Sequence, residues 1–245
     1  MYSNEKAIDM FNQMIDMGDY YSSGRPVCVD PDIIIGDILS KIPLAKDDVV
    51  LDVGCGTGLL TTRLARKCRH IYAVDPAGRA VARFREKCLE EKIHNIEIHE
   101  GMATDLPFAD QSFNKVIMYA VLHYLENEKQ IERCIRELIR VCKINGHILV
   151  GEIPERKARE EFDTREKTKE ELKLLEEFNM NRKEYDRLFQ RSVALRDDGQ
   201  NLPMVIDGDF LVRVAKREGC TAKIHKQDIR QPFSLTRRDL VIYKG

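Results

Sequence analysis

Apolar and polar residues alternate along the chain with two different periods. Helical spacing marks an opening segment, Glu5 to Met17, and a second helix is predicted after Asp30-Pro31 because proline suits a first helical turn. Between Val49 and Val150, short apolar runs alternate with further helical segments, which predicts a parallel sheet with helices on both faces. The predicted strands there are Val49–Val53, Ile71–Val74, Ile96–Ile98, Phe113–Met118 and His147–Val150, and the predicted helices are Leu59–Lys67, Arg79–Glu91 and Lys129–Cys142.

A charged segment interrupts this alternation after Pro154. It is predicted to be helical from Glu155 to about Val193, with sparse apolar positions that give one narrow packing face. The α/β pattern then resumes with a helix, Phe210–Arg217, and two strands, Ala222–Lys226 and Asp239–Tyr243. The connection between these last strands leaves no room for a helix, so they should be antiparallel. The segment itself is either a solvated outcrop or a cap over a site, and its position favours the cap.

Composition and charge narrow the protein class. With 43% hydrophobic and 33% charged residues, the chain can bury a core, which excludes bulk disorder and fibrous classes. Its 40 basic and 41 acidic side chains give a net charge of -1, so no overall field draws it to nucleic acid or to a membrane. The seven cysteines form no C-x-x-C pair, and neither a signal peptide nor a long apolar run is visible. These features predict reduced thiols and a cytoplasmic location.

A glycine-rich segment follows the first predicted strand. Leu51 to Gly58 reads Leu-Asp-Val-Gly-Cys-Gly-Thr-Gly and opens a predicted helix, which is the setting in which a glycine turn binds a nucleotide. The next strand ends at Asp75, about 20 residues further on, where a carboxylate can accept hydrogen bonds from both ribose hydroxyls. Together the loop and the acid predict a ligand that contains adenosine.

Two adenosine ligands compete for this loop, and they differ in charge. A dinucleotide loop has a third glycine at the position that Leu59 occupies here, and it holds a pyrophosphate at the helix N-terminus. Asp52 would repel a pyrophosphate but favours the ammonium and sulfonium groups of S-adenosylmethionine. A tight turn without a ligand is the third alternative.

At these positions the chain resembles the class I S-adenosylmethionine-dependent methyltransferases. The likeness is specific in Leu51–Gly58, in Asp75, in the Gly-Met-Ala and Leu-Pro-Phe motifs of residues 101–108, and in Phe113–Leu125. It implies S-adenosyl-L-methionine as cofactor. The residues that it implies for cofactor binding are Tyr20, Tyr21, Arg25, Asp52, Gly54, Cys55, Gly56, Gly58, Asp75, Pro76, Met102, Ala103 and Tyr119.

The resemblance gives these residues different tasks. The glycine loop would surround the methionyl part, Asp75 would hold the ribose, Pro76 would lie along the adenine, and the N–H of Ala103 would reach the ring. Met102 departs from the family pattern, since a thioether stands where a carboxylate commonly accepts from the adenine amino group. Within the loop, Cys55 is interpreted as a space-filler rather than a nucleophile.

Two further segments could contribute to the chemistry. Tyr20, Tyr21 and Arg25 lie in a Tyr-Tyr-Ser-Ser-Gly-Arg-Pro segment that, by the resemblance, folds over the cofactor; a packed linker is the alternative. His123 follows the fourth strand, which the α/β rule places at the carboxyl edge of the sheet. It is the candidate general base, because imidazole titrates near pH ~6.5, with a structural histidine as the alternative. No metal is expected.

The prediction of the acceptor class depends on two motifs that the sequence lacks and on one local excess of positive charge. No Asn/Asp-Pro-Pro-Tyr segment follows the fourth strand and no Pro-Cys pair is present, so a small-molecule acceptor is predicted rather than a nucleic-acid base. Residues 213–244 carry nine lysines and arginines against three acids, which leaves an RNA methyltransferase open. A non-catalytic subunit that binds an adenosyl ligand also stays open, as does a homodimer.

These expectations combine into one fold. The chain is predicted to be an α/β protein with a Rossmann-like, doubly wound, mostly parallel sheet of seven strands and a helical cap insertion. A single methyltransferase domain is expected over residues 1–245. Its predicted parts are an N-terminal helical lid segment (1–45), a cofactor-binding core (46–153), the helical insertion or cap (154–205), and a C-terminal helix with an antiparallel strand pair (206–245).

Overall fold

A computed structural model describes residues 4–15, 30–177, 205–231 and 233–245. Seven strands form one sheet: β1 Val49–Val53, β2 His70–Asp75, β3 Ile96–Glu100, β4 Phe113–Tyr119, β5 Cys142–Pro154, β6 Thr221–Lys226 and β7 Arg237–Lys244. Their order across the sheet is β3-β2-β1-β4-β5-β7-β6. The first five strands in the chain run parallel, and β7 is antiparallel to both β5 and β6. The mostly parallel sheet with an antiparallel final pair is therefore confirmed.

Helices cover both faces of this sheet, as the alternating pattern predicts. Several begin at a side-chain cap: Asp30 accepts from the Asp32 N–H at 2.9 Å, and Asn127 accepts from the Gln130 N–H at 3.0 Å. The helices are α1 Asn4–Met14, α2 Pro31–Lys41, α3 Thr61–Ala65, α4 Gly78–Glu90, α5 Glu128–Val141, α6 Arg156–Thr164 and α7 Gly208–Arg217, and a 3₁₀ turn spans Leu122–Tyr124.

Strand β4 separates the two parts of the core. Val116 and Met118 belong to a buried cluster with residues of α5 and α7, whereas Ile117 belongs to a second cluster with residues of α2 and α3. Successive strand residues point to opposite faces of a sheet, so one buried strand supplies both clusters. None of the helices in the described ranges is long and apolar enough to cross a membrane.

The fifth strand is much longer than its sequence pattern predicts. The periodicity indicates His147–Val150, but the observed strand runs from Cys142 to Pro154. Pairing with β7 from Gly146↔Lys244 to Pro154↔Arg237 extends it, with an irregularity between Val150 and Ile153. This pairing joins segments about 90 residues apart, and local periodicity carries no signal for it.

The charged segment after Pro154 is not one continuous helix, and that prediction was wrong. Helix α6 ends at Thr164, and a second helical stretch covers residues 169–177. Thr168 and Glu171 form a reciprocal capping box: Thr168 Oγ1 accepts from the Glu171 N–H at 3.1 Å, and Glu171 Oε2 accepts from the Thr168 N–H at 2.8 Å. A new helix therefore starts there. The remainder of the prediction, to about Val193, lies outside the described residues.

Candidate functional site

An open cleft lies at the carboxyl ends of β1, β2 and β4. The sheet order reverses here, because β2 and β4 flank β1 on opposite sides. In open α/β sheets such a switch point is where ligands bind. The cleft is lined by α1, the loop after β1, the start of α4 and the residues after β4: Ala7, Ile8, Phe11, Asp52, Gly54, Cys55, Gly56, Thr57, Leu59, Leu60, Asp75, Pro76, Ala77, Ala80, Tyr119, Ala120, Val121 and Tyr124.

The glycine loop after β1 forms one wall of the cleft. Gly54, Gly56 and Gly58 have φ angles of 78°, 53° and 82°, a region that favours glycine. The N–H groups of Gly54 and Cys55 donate to the Val74 carbonyl at 2.7 and 3.2 Å, which fixes the loop to β2. A Cβ on Gly54 would overlap the Val121 side chain, so a side chain at this position would close the cleft.

Asp75 stands at the end of β2 with both carboxylate oxygens directed at backbone donors. Oδ2 accepts from the Gly56 N–H at 2.8 Å, and Oδ1 accepts from the Ala77 N–H at 2.8 Å. Burial raises the pKa of the Asp75 carboxyl, and these two N–H groups hold part of the shift back. Each oxygen keeps a second lone pair, so the carboxylate can also accept from hydroxyl groups of a ligand.

The second carboxylate of the cleft, Asp52, lies near the end of β1. It is buried, and its Oδ2 accepts a hydrogen bond from Thr61 Oγ1 at 2.6 Å. Thr61 is the first residue of α3, so the bond fixes the carboxylate against the helix that follows the glycine loop.

Between the two acids lies the Cys55 side chain. Burial, together with the nearby carboxylates of Asp75 and Asp52, raises the pKa of the Cys55 thiol well above its usual range. A thiol in this environment is a poor nucleophile. The interpretation of Cys55 as a space-filler agrees with this environment.

The charge of the cleft favours one of the two competing ligands over the other. Among the described residues that line it, two are carboxylates, Asp52 and Asp75, and none is a lysine or an arginine. A pyrophosphate would meet two acids and no cation, whereas a cationic sulfonium and ammonium would be attracted. In the described ranges, no group of three or more histidine, cysteine or acidic side chains could hold a metal ion.

The structure brings seven of the thirteen predicted cofactor residues together in the lining of the cleft. The lining of the cleft includes Asp52, Gly54, Cys55, Gly56, Asp75, Pro76 and Tyr119. Tyr20, Tyr21 and Arg25 lie outside the described residues, so their assignment as a lid stays a prediction.

Four other predicted site residues lie outside this lining: Gly58, Met102, Ala103 and His123. A Cβ on Gly58 would overlap the Phe84 ring, so this glycine allows α4 to pack against the loop. Ala103 is buried in the core, and Met102 pairs with Asp105 in an isolated bridge after β3. His123 is buried in the 3₁₀ turn, where its ring lies 4.4 Å from that of Tyr124.

Sequence reasoning missed the residues that close the cleft. Ala7, Ile8 and Phe11 of α1 line it, and the Phe11 ring meets the Tyr124 ring edge-on with centroids 5.1 Å apart. Helix α1 is also tied to α4, because the Asn12 carbonyl accepts from the Arg79 guanidinium at 2.7 Å. The apolar spacing of α1 predicts a helix but does not specify which surface its apolar face covers.

A buried polar network behind Tyr119 was also missed. The Tyr119 hydroxyl donates to Gln231 Oε1 at 2.5 Å and accepts from Gln227 Nε2 at 2.9 Å. Gln227 continues to Asp239 at 2.9 Å, and Asp239 forms an ion pair with Lys41 at 2.7 Å. The network connects the C-terminal segment to a tyrosine whose other surface lines the cleft.

Comparisons with known proteins agree with this geometry. Residues 50–146 match a family described as a methyltransferase domain. A probable cobalt-precorrin-6B C(15)-methyltransferase (decarboxylating) of Methanocaldococcus jannaschii is 35% identical over 47% of this chain and 57% of the relative. The chain spans about half to three fifths of the length of the curated relatives it matches.

Solved structures show the same fold at low sequence identity. Phosphoethanolamine N-methyltransferase 1 of Haemonchus contortus, solved with phosphoethanolamine and S-adenosylhomocysteine, has a TM-score of 0.69 at 16% identity over 98% of this chain and 48% of that chain. The [4+2]-cyclase SpnF has a TM-score of 0.67 at 15% identity over 99% of this chain and 97% of that chain. The family match and the solved structures agree with each other. Residues 50–146 match a methyltransferase domain, and the chain shares the fold of a methyltransferase solved with S-adenosylhomocysteine.

Proposed function

We propose that this protein transfers the methyl group of S-adenosylmethionine to an O, N or C atom of a small-molecule acceptor. One observation carries the proposal: the cleft at the switch point contains two buried carboxylates and, among its described lining residues, no cationic side chain. A cofactor with a sulfonium and an ammonium group suits this charge, and a dinucleotide does not.

The residues of the cleft suit the parts of this cofactor. Asp75 would accept hydrogen bonds from the ribose hydroxyls, since its backbone partners hold it in place and leave lone pairs available. Asp52, fixed by Thr61, would favour the cationic methionyl end. When bound, the cofactor supplies a methyl carbon that is already activated by the sulfonium.

The protein's own part is to align the acceptor and to exclude water. The aromatic pair Phe11 and Tyr124 covers the cleft beside the end of β4, where the acceptor would enter. His123, the residue before Tyr124, is the proposed base for acceptors that must lose a proton. Its burial outside the lining means that this role requires a movement of the 3₁₀ turn.

Turnover of the purified chain tests the proposal. S-adenosylhomocysteine formation is measured with S-adenosylmethionine and a broad panel of small acceptors, with Asp75→Ala as the inactive control. Acceptor-dependent product is the expected result. Cofactor binding without product from any acceptor would favour the alternative of a non-catalytic adenosyl-binding subunit.

The basic C-terminal segment, residues 213–244, kept an RNA acceptor open as an alternative. Fewer of its lysines and arginines are free to contact RNA than its composition indicates. Five of its nine cations already have partners: Arg213 pairs with Asp207, Arg230 with Asp228 and Arg238 with Glu161, while Lys244 and Arg237 donate to backbone carbonyls. These pairs reduce the charge that could contact a phosphate backbone, so the small-molecule acceptor is the better supported proposal.

A further inference from the structure

One cation of the C-terminal segment differs from the rest in its surroundings. Arg237 is the first residue of β7 and pairs in register with Pro154 at the end of β5. Because β7 runs antiparallel to β5, its start lies at the carboxyl edge of the sheet. From the glycine loop, the order β1-β4-β5-β7 places Arg237 beyond Tyr119, on the side of the cleft away from the cofactor residues.

The Arg237 side chain is partly buried, and its guanidinium makes few hydrogen bonds. Its side chain has one long hydrogen bond, from Nη1 to the Glu152 carbonyl at 3.5 Å, and lies 5.3 Å from the centre of the Phe233 ring. In the described part of the chain it forms no ion pair within 4.0 Å. A guanidinium has five donors, so most of its hydrogen-bonding capacity is unused.

The electrostatic environment of Arg237 bears on the kind of ligand that it could bind. Burial lowers the pKa of the Arg237 guanidinium, and the nearby Glu152 carboxylate and the phenol groups of Tyr124 and Tyr119 oppose this shift. Both tyrosines line the cleft and Arg237 does not, so the guanidinium lies beside the cleft and not within its lining. Glu152 is near enough to be felt but forms no ion pair with Arg237 within 4.0 Å in the described residues, so an anionic ligand that contacts the guanidinium would lower the cost of its burial.

The backbone near Arg237 also has an unusual conformation. Glu152 interrupts β5 at its irregularity with a φ of 58°, and Ala120 follows β4 with a φ of 61°. Both are non-glycine residues in the left-handed region at the same edge of the sheet. Such conformations cost energy, and they concentrate at functional sites.

We propose that Arg237 binds an oxyanion, a carboxylate or a phosphate, on the methyl acceptor, and so selects acidic small molecules as substrates. The proposal rests on the proposed function, because it assigns the acceptor side of that same cleft. Arginine suits this task because its planar donors match a carboxylate or phosphate with two parallel hydrogen bonds. The aromatic surfaces of Tyr119 and Tyr124 would contact the apolar body of such an acceptor.

Binding of simple probes tests the proposal without a known substrate. The full chain, first alone and then saturated with S-adenosylhomocysteine, is titrated with benzoate, with phenyl phosphate and with neutral benzamide, and binding is followed by calorimetry. The variants are Arg237→Gln, Arg237→Lys, and Arg217→Gln as the matched control on the exposed surface of α7. Thermal unfolding of each variant establishes that it is folded.

We expect at least one anionic probe to bind saturably at millimolar concentration. Arg237→Gln should weaken that binding about tenfold or more, Arg237→Lys should weaken it less, and Arg217→Gln should leave it unchanged. Benzamide should bind more weakly and be insensitive to the substitutions. The preferred anion, carboxylate or phosphate, identifies the class of acceptor.

Two results would overturn the assignment: equal anion binding by wild type and Arg237→Gln, or no saturable binding of either anion. Failure of the proposed function is a separate result, because it would show as absent S-adenosylhomocysteine binding. The titrations of the unloaded protein remain decisive for Arg237 in that case.

Discussion

The backbone N–H of Gly56 donates to the Asp75 carboxylate across 2.8 Å, and this bond joins the two halves of the proposed cofactor site. Gly56 lies in the loop after β1, and Asp75 ends β2. A single hydrogen bond therefore fixes the distance between the loop expected to surround the methionyl part and the acid expected to hold the ribose. Because this bond forms within the protein itself, the two segments are already arranged before a ligand arrives.

Removing the Asp75 carboxylate should abolish cofactor binding. Asp75→Ala loses the acceptors for the ribose hydroxyls and leaves the Gly56 N–H without its partner. Affinity for S-adenosylhomocysteine should fall about 100-fold or more, measured by calorimetry. The control is Asp47→Asn, an exposed acid in the turn before β1 at the opposite edge of the sheet. Unchanged affinity in Asp75→Ala would remove Asp75 from the site.

Gly58 should tolerate no side chain. A Cβ there would overlap the Phe84 ring, and the φ of 82° is unfavourable for alanine. Gly58→Ala should lower the free energy of unfolding by more than about 1 kcal/mol in urea denaturation.

The matched substitution Gly36→Ala should act in the opposite direction. Gly36 lies within α2 and a Cβ there meets no atom within 4 Å. Alanine should stabilise the protein by about 0.5–1 kcal/mol through helix propensity. Equal effects of the two alanines would contradict the packing that we assign to Gly58.

The hydroxyl of Tyr119 should contribute to stability through its buried partners. Tyr119→Phe removes one hydrogen bond from Gln231 and one from Gln227. The free energy of unfolding should therefore fall by about 1–3 kcal/mol. Tyr243→Phe is the control, because that hydroxyl bonds Asn145 on the surface and its loss should cost less than about 1 kcal/mol. A neutral Tyr119→Phe would show that the network is dispensable.

Asp239 should give the protein a distinct pH dependence. Burial raises the pKa of the fully buried Asp239 carboxyl from 3.8 to about 6, although Lys41 opposes the shift. The folded state then holds this proton more tightly than the unfolded state. The group's stabilising contribution is complete below the unfolded pKa and is lost as the pH rises through about 6.

Comparison with Asp239→Asn isolates this contribution, since burial lowers the pKa of His147 and His225 and their titration acts in the opposite sense. The difference in unfolding free energy, wild type minus variant, should increase by at most about 1.4 kcal/mol per pH unit as the pH falls from ~6 to ~4. Urea denaturation across this range measures it. Parallel curves for the two proteins would contradict the raised pKa.

The sequence predicts the sheet well because its strands carry strong local signals. Val49–Val53 is a mostly buried run in which Asp52 is the one polar residue; its bounds are the same in pattern and structure, and the glycines after it specify a turn. The extension of β5 to Pro154 could not be predicted, since it depends on pairing with a distant strand. The break between Thr164 and residue 169 was predictable in principle, because Thr168 and Glu171 have capping-box spacing.

The candidate site also contains some residues that the sequence could locate and others that it could not. Asp52, Gly54 and Asp75 could be located because their motif specifies both backbone shape and charge. Phe11 and Arg237 could not, since their position depends on how α1 and β7 pack against the rest of the fold. Residues that act through tertiary contacts carry no local pattern.

Parallel calorimetric titration of the purified chain with S-adenosylmethionine, S-adenosylhomocysteine and NAD tests the central claim most directly. The two carboxylates of the cleft predict micromolar binding of both adenosyl ligands and no binding of NAD. Binding of NAD without binding of the adenosyl pair would contradict the assignment of Asp52 and Asp75, and the proposed methyl transfer with it.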